Sequence, residues 1–255
     1  MLSLLVPHGQ AGKPRVRNVA GPRNAFLLAY NSNMDRAGLQ VFERSGACPL
    51  CAEFETGSTP AAWQPNLVGR YQLWTGSAVV IAALTPLRAG HVMVLPARHV
   101  QSFAAAGSAE RDAALAVAAR LAGAQWMNSE ELLAFEHGVA PGKAEGCGIS
   151  HAHIHLVPVT KSECAAMLNA AAAEDGTQSP ADWASLRGQS YLRVWSVTTG
   201  DAICLTGPFS SQTLRRIAAQ VLRSEHNDWR RHGNWSAMRT TDLALARLTG
   251  AAYAA

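Results

Sequence analysis

The 255 residues carry 22 Lys and Arg against 18 Asp and Glu, a formal net charge of +4, and 48% of them are hydrophobic. That is enough apolar mass for a sizeable core in one domain with extensions. The charge favours phosphorylated ligands but is too mild for the basic stripe of a nucleic-acid binder. The opening Met1–His8 is too short for the apolar region of a signal peptide, no apolar run is long enough to span a bilayer, and five cysteines, an odd number, argue against a disulfide framework. A cytoplasmic protein with no membrane or nucleic-acid partner is therefore expected.

Residues 1–45 hold Lys13, Arg15, Arg17 and Arg23 among prolines and glycines, followed by Ala25–Tyr30. They read as a loop-rich arm entering a short helix or strand, with the basic side chains on a solvated face. Cys48-Pro-Leu-Cys51 follows a turn-like stretch and is open to three readings: an incidental pair, a redox motif, or half of a zinc site. Residues 79–100 read as an apolar strand, a Thr-Pro and Ala-Gly turn, and a second strand from His91 to His99. Ser108–Met127 reads as a long helix, with Ser108 as its cap, Glu110 and Asp112 in its first turn, and Leu115, Val117, Leu121 and Trp126 along it. Leu133–Gly138 is a short strand carrying Glu136 and His137. Pro141–Gly148 is a glycine-rich loop whose amides, at Gly146 and Gly148, could turn toward phosphate with Lys143 adding charge.

The most informative stretch is Gly148–Val159, with histidines at 151, 153 and 155 alternating with apolar residues. Strand period is two, so the three imidazoles project from one face while Ala152, Ile154 and Leu156 point into the core. A half-exposed strand or a metallohydrolase His-x-His pair would be blander readings. A dinuclear metal site, however, wants carboxylates nearby, and no Asp follows within the next dozen residues. Beyond it, Ala165–Ala173 reads as a short helix and Glu174–Pro180 as a polar turn. Tyr191–Val197 and Ala202–Thr206 read as a hairpin. Gln212–Arg223 reads as a helix with Leu214, Ile217, Ala218, Val221 and Leu222 as its apolar stripe, ahead of Trp229 and Arg230.

The H-φ-H-φ-H-φ-φ spacing, the Gly90-His91 step and the Pro96-Ala-Arg-His99 ending together resemble the histidine-triad (HIT) superfamily of nucleotide hydrolases and transferases. The resemblance is firm over residues 46–160 and over the tail residues Gln212, Arg215, Arg216, Trp229 and Arg230. It implies an α+β HIT fold, with an antiparallel sheet, a long helix, and a C-terminal β-hairpin and helix extension. The chain divides accordingly into an arm (1–45), a catalytic core (46–160) and an extension (161–255). The family's middle histidine is a nucleophile toward the α-phosphorus of a nucleotide and maps onto His153, its other nitrogen donating to a backbone carbonyl. His155 would hydrogen-bond phosphate oxygens or protonate the leaving group, and His91 would set protonation states beside it. Glu136, Lys143, Gly146, Gly148, Ser150 and Arg216 are the residues expected around the phosphates. Relatives that carry an early CxxC join it to two histidines around zinc, here Cys48, Cys51, His99 and His151, a closed structural set. Small members dimerise along the long helix, so a homodimer is a further implication.

The chain departs from the family in its nucleoside grip. Adenosine-directed members place Asp or Asn eight residues before the Gly-His histidine, where this chain has Ala83, and polar residues where it has Cys147 and Gly148. His155 in the third position favours hydrolysis over transfer. The implied activity is hydrolysis at an α-phosphate of a dinucleoside polyphosphate, nucleotide sugar or phosphoramidate. Nucleotidyl or phosphoryl transfer, a specialised biosynthetic reaction, and nucleotide binding without turnover are the alternatives.

Overall fold

The computed structural model describes residues 48–57, 69–143, 149–229 and 233–249. The basic arm, Gly146, Cys147, Gly148 and Arg230 lie outside these residues. Among the described residues, eight strands form one antiparallel sheet: β1 (Leu73–Thr75), β2 (Ala78–Ala82), β3 (Val92–Pro96), β4 (Glu131–Gly138), β5 (Ile154–Val159), β6 (Thr177–Gln178), β7 (Tyr191–Ser196) and β8 (Ala202–Thr206). Their order is β1-β2-β3-β5-β4-β7-β8-β6. Five α-helices among the described residues pack around it: α1 (Pro49–Thr56), α2 (Ser108–Gly123), α3 (Lys161–Ala172), α4 (Thr213–Val221) and α5 (Trp235–Leu248). The architecture is α+β, as the sequence led one to expect, and β7 pairs directly with β4, so the C-terminal hairpin continues the same sheet.

Every residue of β2, β3, β4 and β5 is buried because both faces of the sheet are covered. One face presents Val80, Val92, Val94, Ala134, Ile154 and Leu156 to Ala114, Val117, Ala118 and Leu121 of α2. Those four recur at helical spacing, which makes one apolar stripe. The opposite face presents Val79, Ile81, Met93 and Leu95 to Leu50 and Phe54 of α1, and Leu133, Phe135, Val157 and Val159 to α3 and α4. Ala152, Ile154 and Leu156 thus lie in the α2 core, as the strand period requires.

Several boundaries differ from the sequence reading, each for a local reason. α2 stops at Gly123 rather than Met127, because Gln125 (φ +47°) and Met127 (φ +58°) take left-handed backbone. The turn tucks Trp126 inward, where its indole N–H donates to the Gly90 carbonyl at 2.7 Å. Gly107, not Ser108, precedes the helix, and its N–H donates to the Glu110 carboxylate at 2.7 Å. α3 begins at Lys161, four residues before the Ala-rich run, because Thr160 and Glu163 form a reciprocal capping box. Glu163 also takes a bidentate pair from Arg88 at 2.7 and 2.9 Å, tying the β2–β3 turn to α3. That turn needs glycine at position 90. Its φ is +86°, and a Cβ there would meet Met127 Cγ at 2.5 Å and Pro158 Cγ at 2.8 Å. α5 went unanticipated, since Thr240, Thr241 and Asp242 at its middle are weak helix formers.

Candidate active site

The register of β5 places His155 between Met93 of β3 and Phe135 of β4. The ladder begins only at Ile154, so His151 and His153 precede the paired strand. His153 Nδ1 lies 2.6 Å from the His151 carbonyl oxygen. A carbonyl can only accept, so Nδ1 carries the proton and Nε2 keeps its lone pair. A second chain of contacts fixes the neighbouring rings. The Leu87 N–H donates to His91 Nδ1 at 3.0 Å, which leaves the His91 proton on Nε2. That nitrogen is 2.8 Å from His155 Nδ1, so His155 accepts there and presents Nε2–H.

This assignment requires neutral rings, and their surroundings supply the condition. Burial lowers the pKa of His153, against an opposing pull from its bond to the His151 carbonyl. Burial, with His153, His91 and Arg215 adding repulsion, holds His155 well below the ordinary histidine value. His91 is likewise held well below it by burial, with Arg215 and His153 contributing. The His155 ring stacks on Phe135, with centroids 4.6 Å apart, and meets His153 edge-on at 4.9 Å.

His153 and His155 line a partly open cleft, with Arg70, Ala83, Gln212, Arg215 and Trp229 among its walls. Ala83 leaves no acid at its own position. Arg70 is committed to fold contacts: Nε and one terminal nitrogen donate to Glu53 at 2.9 and 2.5 Å, and the other to the Ala82 carbonyl at 2.5 Å. Arg215 is buried and donates to the Thr85 carbonyl, to Thr85 Oγ1 at 3.0 Å and to the His226 carbonyl at 2.8 Å. It holds a guanidinium group against the wall that His153 and His155 share.

Two residues expected near the phosphates sit elsewhere. Arg216 is exposed and folds back on its own helix, donating to the Ser211 carbonyl at 2.6 Å and to Thr213 Oγ1 at 3.2 Å. Arg215 takes the cleft position instead, because it lies on the apolar stripe three residues before Ala218 and seven before Leu222. Glu136 points to the far face of the sheet. It accepts from the Phe103 N–H at 2.7 Å and the Trp183 indole at 2.9 Å, and burial raises its carboxyl pKa. Strand alternation gives the site face to its neighbours Phe135 and His137. His137 is buried and pushed down to about 4, by burial first and then by His153 and Arg216. Lys143 and Ser150 are exposed and do not line the cleft. Period-two and helical-stripe arguments could have found Phe135, His137 and Arg215 in the sequence; Gln212 was marked only as part of the tail resemblance, and nothing marked Arg70.

Beside the cleft, Cys48, Cys51, His99 and His151 bring four ligand atoms within 4.8 Å of one another. Cys48 Sγ is 3.4 Å from His151 Nδ1, and Cys51 Sγ is 3.5 Å from both His151 Nδ1 and His99 Nδ1. A tetrahedral ion with bonds of roughly 2.0–2.3 Å has ligand–ligand edges of roughly 3.3–3.8 Å, so this set could hold a metal. His151 Nε2 lies 2.9 Å from the Pro96 carbonyl, which keeps the proton on Nε2 and turns the Nδ1 lone pair toward the thiols. Without an ion, burial and the neighbouring Cys48 push the Cys51 thiol up to about 12, so metal binding would release protons. Cys164 and Cys204 are buried in the core clusters. No helix among the described residues is long and apolar enough to cross a membrane.

No protein-family model matches the chain, and no curated protein matches it. Among solved structures, a Hit-like protein involved in cell-cycle regulation from Bartonella henselae is 15% identical, with a TM-score of 0.29 over 33% of this chain and 62% of that one. A hypothetical histidine triad nucleotide-binding protein from Sulfolobus tokodaii is 21% identical, with a TM-score of 0.26 over 33% of this chain and 56% of that one. This chain spans less than two thirds of the length of either.

Proposed function

We propose that the protein is a HIT-type nucleotide hydrolase acting at the α-phosphate through a covalent nucleotidyl-histidine on His153. The observation that carries this reading is the fixed tautomer of His153: its Nδ1 bond to the His151 carbonyl leaves Nε2 as a neutral nucleophile in the wall of the cleft. In the first step the Nε2 lone pair attacks phosphorus, a P–N bond forms, and the bond to the leaving group breaks with its electron pair. The positive charge that develops on the ring is spread toward the His151 carbonyl. Water, or in a transferase an acceptor hydroxyl or phosphate, then attacks phosphorus, and the P–N bond breaks with its pair returning to His153 Nε2. The proton of the attacking group passes to solvent, which also protonates the leaving group when that group is an amine.

His155 serves as a hydrogen-bond donor to a phosphoryl oxygen rather than as the acid for the leaving group. It is neutral and holds a single N–H, on Nε2, so giving that proton away would leave an anionic ring against Phe135. Arg215 supplies the fixed positive charge, with Lys143, Gly146, Gly148 and Ser150 remaining candidates for contacts with a longer substrate. Zinc fits the Cys₂His₂ set in ligand type and spacing, and its role there would be structural, with all four positions filled by protein.

The test is intact-protein mass after brief exposure to adenosine, uridine and guanosine dinucleotides, nucleotide sugars and phosphoramidates. The quench is alkaline, because phosphoramidates are acid-labile. An adduct of nucleotide mass on the parent and none on His153→Ala is expected. No adduct and no turnover across the set would overturn the reading.

A further inference from the structure

Gln212 combines two oddities at the wall of the cleft. Its backbone is left-handed, with φ +61° and ψ 22°, although it is not a glycine. It stands at the cap position of α4, yet its side chain makes no capping bond there, so helix initiation does not explain it. It is 7% exposed, and its Oε1 is buried without a hydrogen-bond partner. The amide orientation is fixed by the other end, since Nε2 donates to Asp228 Oδ1 at 3.3 Å. An orphaned buried acceptor on strained backbone is unfavourable to the resting protein, and such features persist where function needs them.

The chemistry of Oε1 narrows what could satisfy it. An amide oxygen only accepts, so it repels phosphoryl oxygens and requires an O–H or N–H. The residues that line the described cleft include no carboxylate, and Ala83 contributes no polar atom. Thr85 Oγ1 already accepts from Arg215, and the His153 lone pair is reserved for phosphorus. Gln212 Oε1 is then the side-chain acceptor that this wall offers to a substrate donor. It precedes Arg215 by three residues, and both side chains line this cleft.

We infer that Gln212 is a specificity-determining residue, accepting a hydrogen bond from a hydroxyl or amino group of the bound nucleotide while Arg215 faces its phosphate. The inference rests on the nucleotide reading of the same cleft. It makes the substrate a nucleotide whose donor is a ribose hydroxyl or a base amine.

The experiment is calorimetric binding of AMP, GMP, UMP and CMP to the full chain. The tightest of these is then compared with its 2′-deoxy, 3′-deoxy and amine-free base forms. On the parent, one of the three deletions weakens binding about tenfold or more and identifies the donor. On Gln212→Met, which keeps the bulk and removes the acceptor, the intact and deleted nucleotides bind within about twofold of each other. Gln212→Asn withdraws the acceptor by one methylene on a residue that tolerates left-handed backbone; it gives the same collapse and serves if the Met variant misfolds. Discrimination that survives both substitutions, or a parent indifferent to all three deletions, overturns the assignment while leaving the nucleotide reading intact. No binding of any monophosphate to the parent also overturns the assignment, while the nucleotide reading stands or falls separately on the mass adduct at His153.

Discussion

Replacing His91 with phenylalanine keeps a ring of similar size at a wholly buried position and deletes both nitrogens. Two groups are orphaned: the Leu87 N–H, now 3.0 Å from its acceptor, and His155 Nδ1, 2.8 Å from its donor. Each unsatisfied buried group costs about 1–3 kcal/mol, so His91→Phe is expected to lose about 2–6 kcal/mol of unfolding free energy. The catalytic consequence is separate. Without the His91 proton, nothing holds His155 in the tautomer that presents Nε2–H to the phosphoryl group. Loss of one preorganised donor to developing oxyanion charge lowers kcat by about 10²–10³-fold. Urea unfolding at pH 7.5 reads the first effect, and single-turnover kinetics on the nucleotide found by mass spectrometry reads the second. A folded variant with kcat within about threefold of the parent would refute the tautomer chain, whatever its stability.

The metal set predicts about one equivalent of zinc in the purified protein and a fall in melting temperature on chelation, both lost in Cys48→Ser with Cys51→Ser. A protein whose melting point responds neither to chelator nor to added zinc would count against it. His137 carries a pH prediction. Its folded pKa is pushed down to about 4 while the unfolded chain titrates near 6.5, so below that value the unfolded state binds the extra proton. The stability is complete above about pH 6.5 and falls by about 3 kcal/mol in all as pH drops toward 4, a slope that His137→Gln should flatten by about 1.4 kcal/mol per unit in urea titrations stepped through that range. Gly90→Ala must hold a left-handed backbone and push its Cβ into Met127 and Pro158, which are 2.5 and 2.8 Å away. It should cost about 2–5 kcal/mol, read in the same unfolding assay.

Sequence periodicity carried the sheet and the long helix well, because wholly buried strands such as Ala78–Ala82 and Ile154–Val159 are apolar runs bounded by turns. What it carried poorly was facing. The resemblance implied a place near the phosphates for Glu136, on a strand leading to the triad, yet its partners Phe103 and Trp183 are 33 and 47 residues away and cannot be read locally. Arg215 and Arg216 are adjacent and identical in type, and only the phase of the helix decides which one enters the cleft. Gln212 belonged to the tail resemblance, but its place in the site was hidden for a different reason. Its unpaired oxygen and its left-handed backbone are properties of the assembled fold, and a glutamine ahead of a helix has no pattern that announces either.

His151 joins the two halves of the site through three different groups. Its Nδ1 faces the thiols of Cys48 and Cys51, its Nε2–H is anchored on the Pro96 carbonyl, and its own carbonyl receives Nδ1–H from His153. An ion held by the cluster would therefore fix, through two bonds of one residue, the peptide plane that sets the tautomer of His153, the proposed nucleophile. The cluster lies outside the reacting cleft and offers no open coordination position, so its contribution would be to geometry rather than to polarising a substrate. Loss of the metal should consequently weaken the protein as a fold and blunt His153 together, while truncation at His155 or Arg215 should blunt catalysis with the metal still in place. That asymmetry separates a structural ion from a catalytic one without reference to any relative.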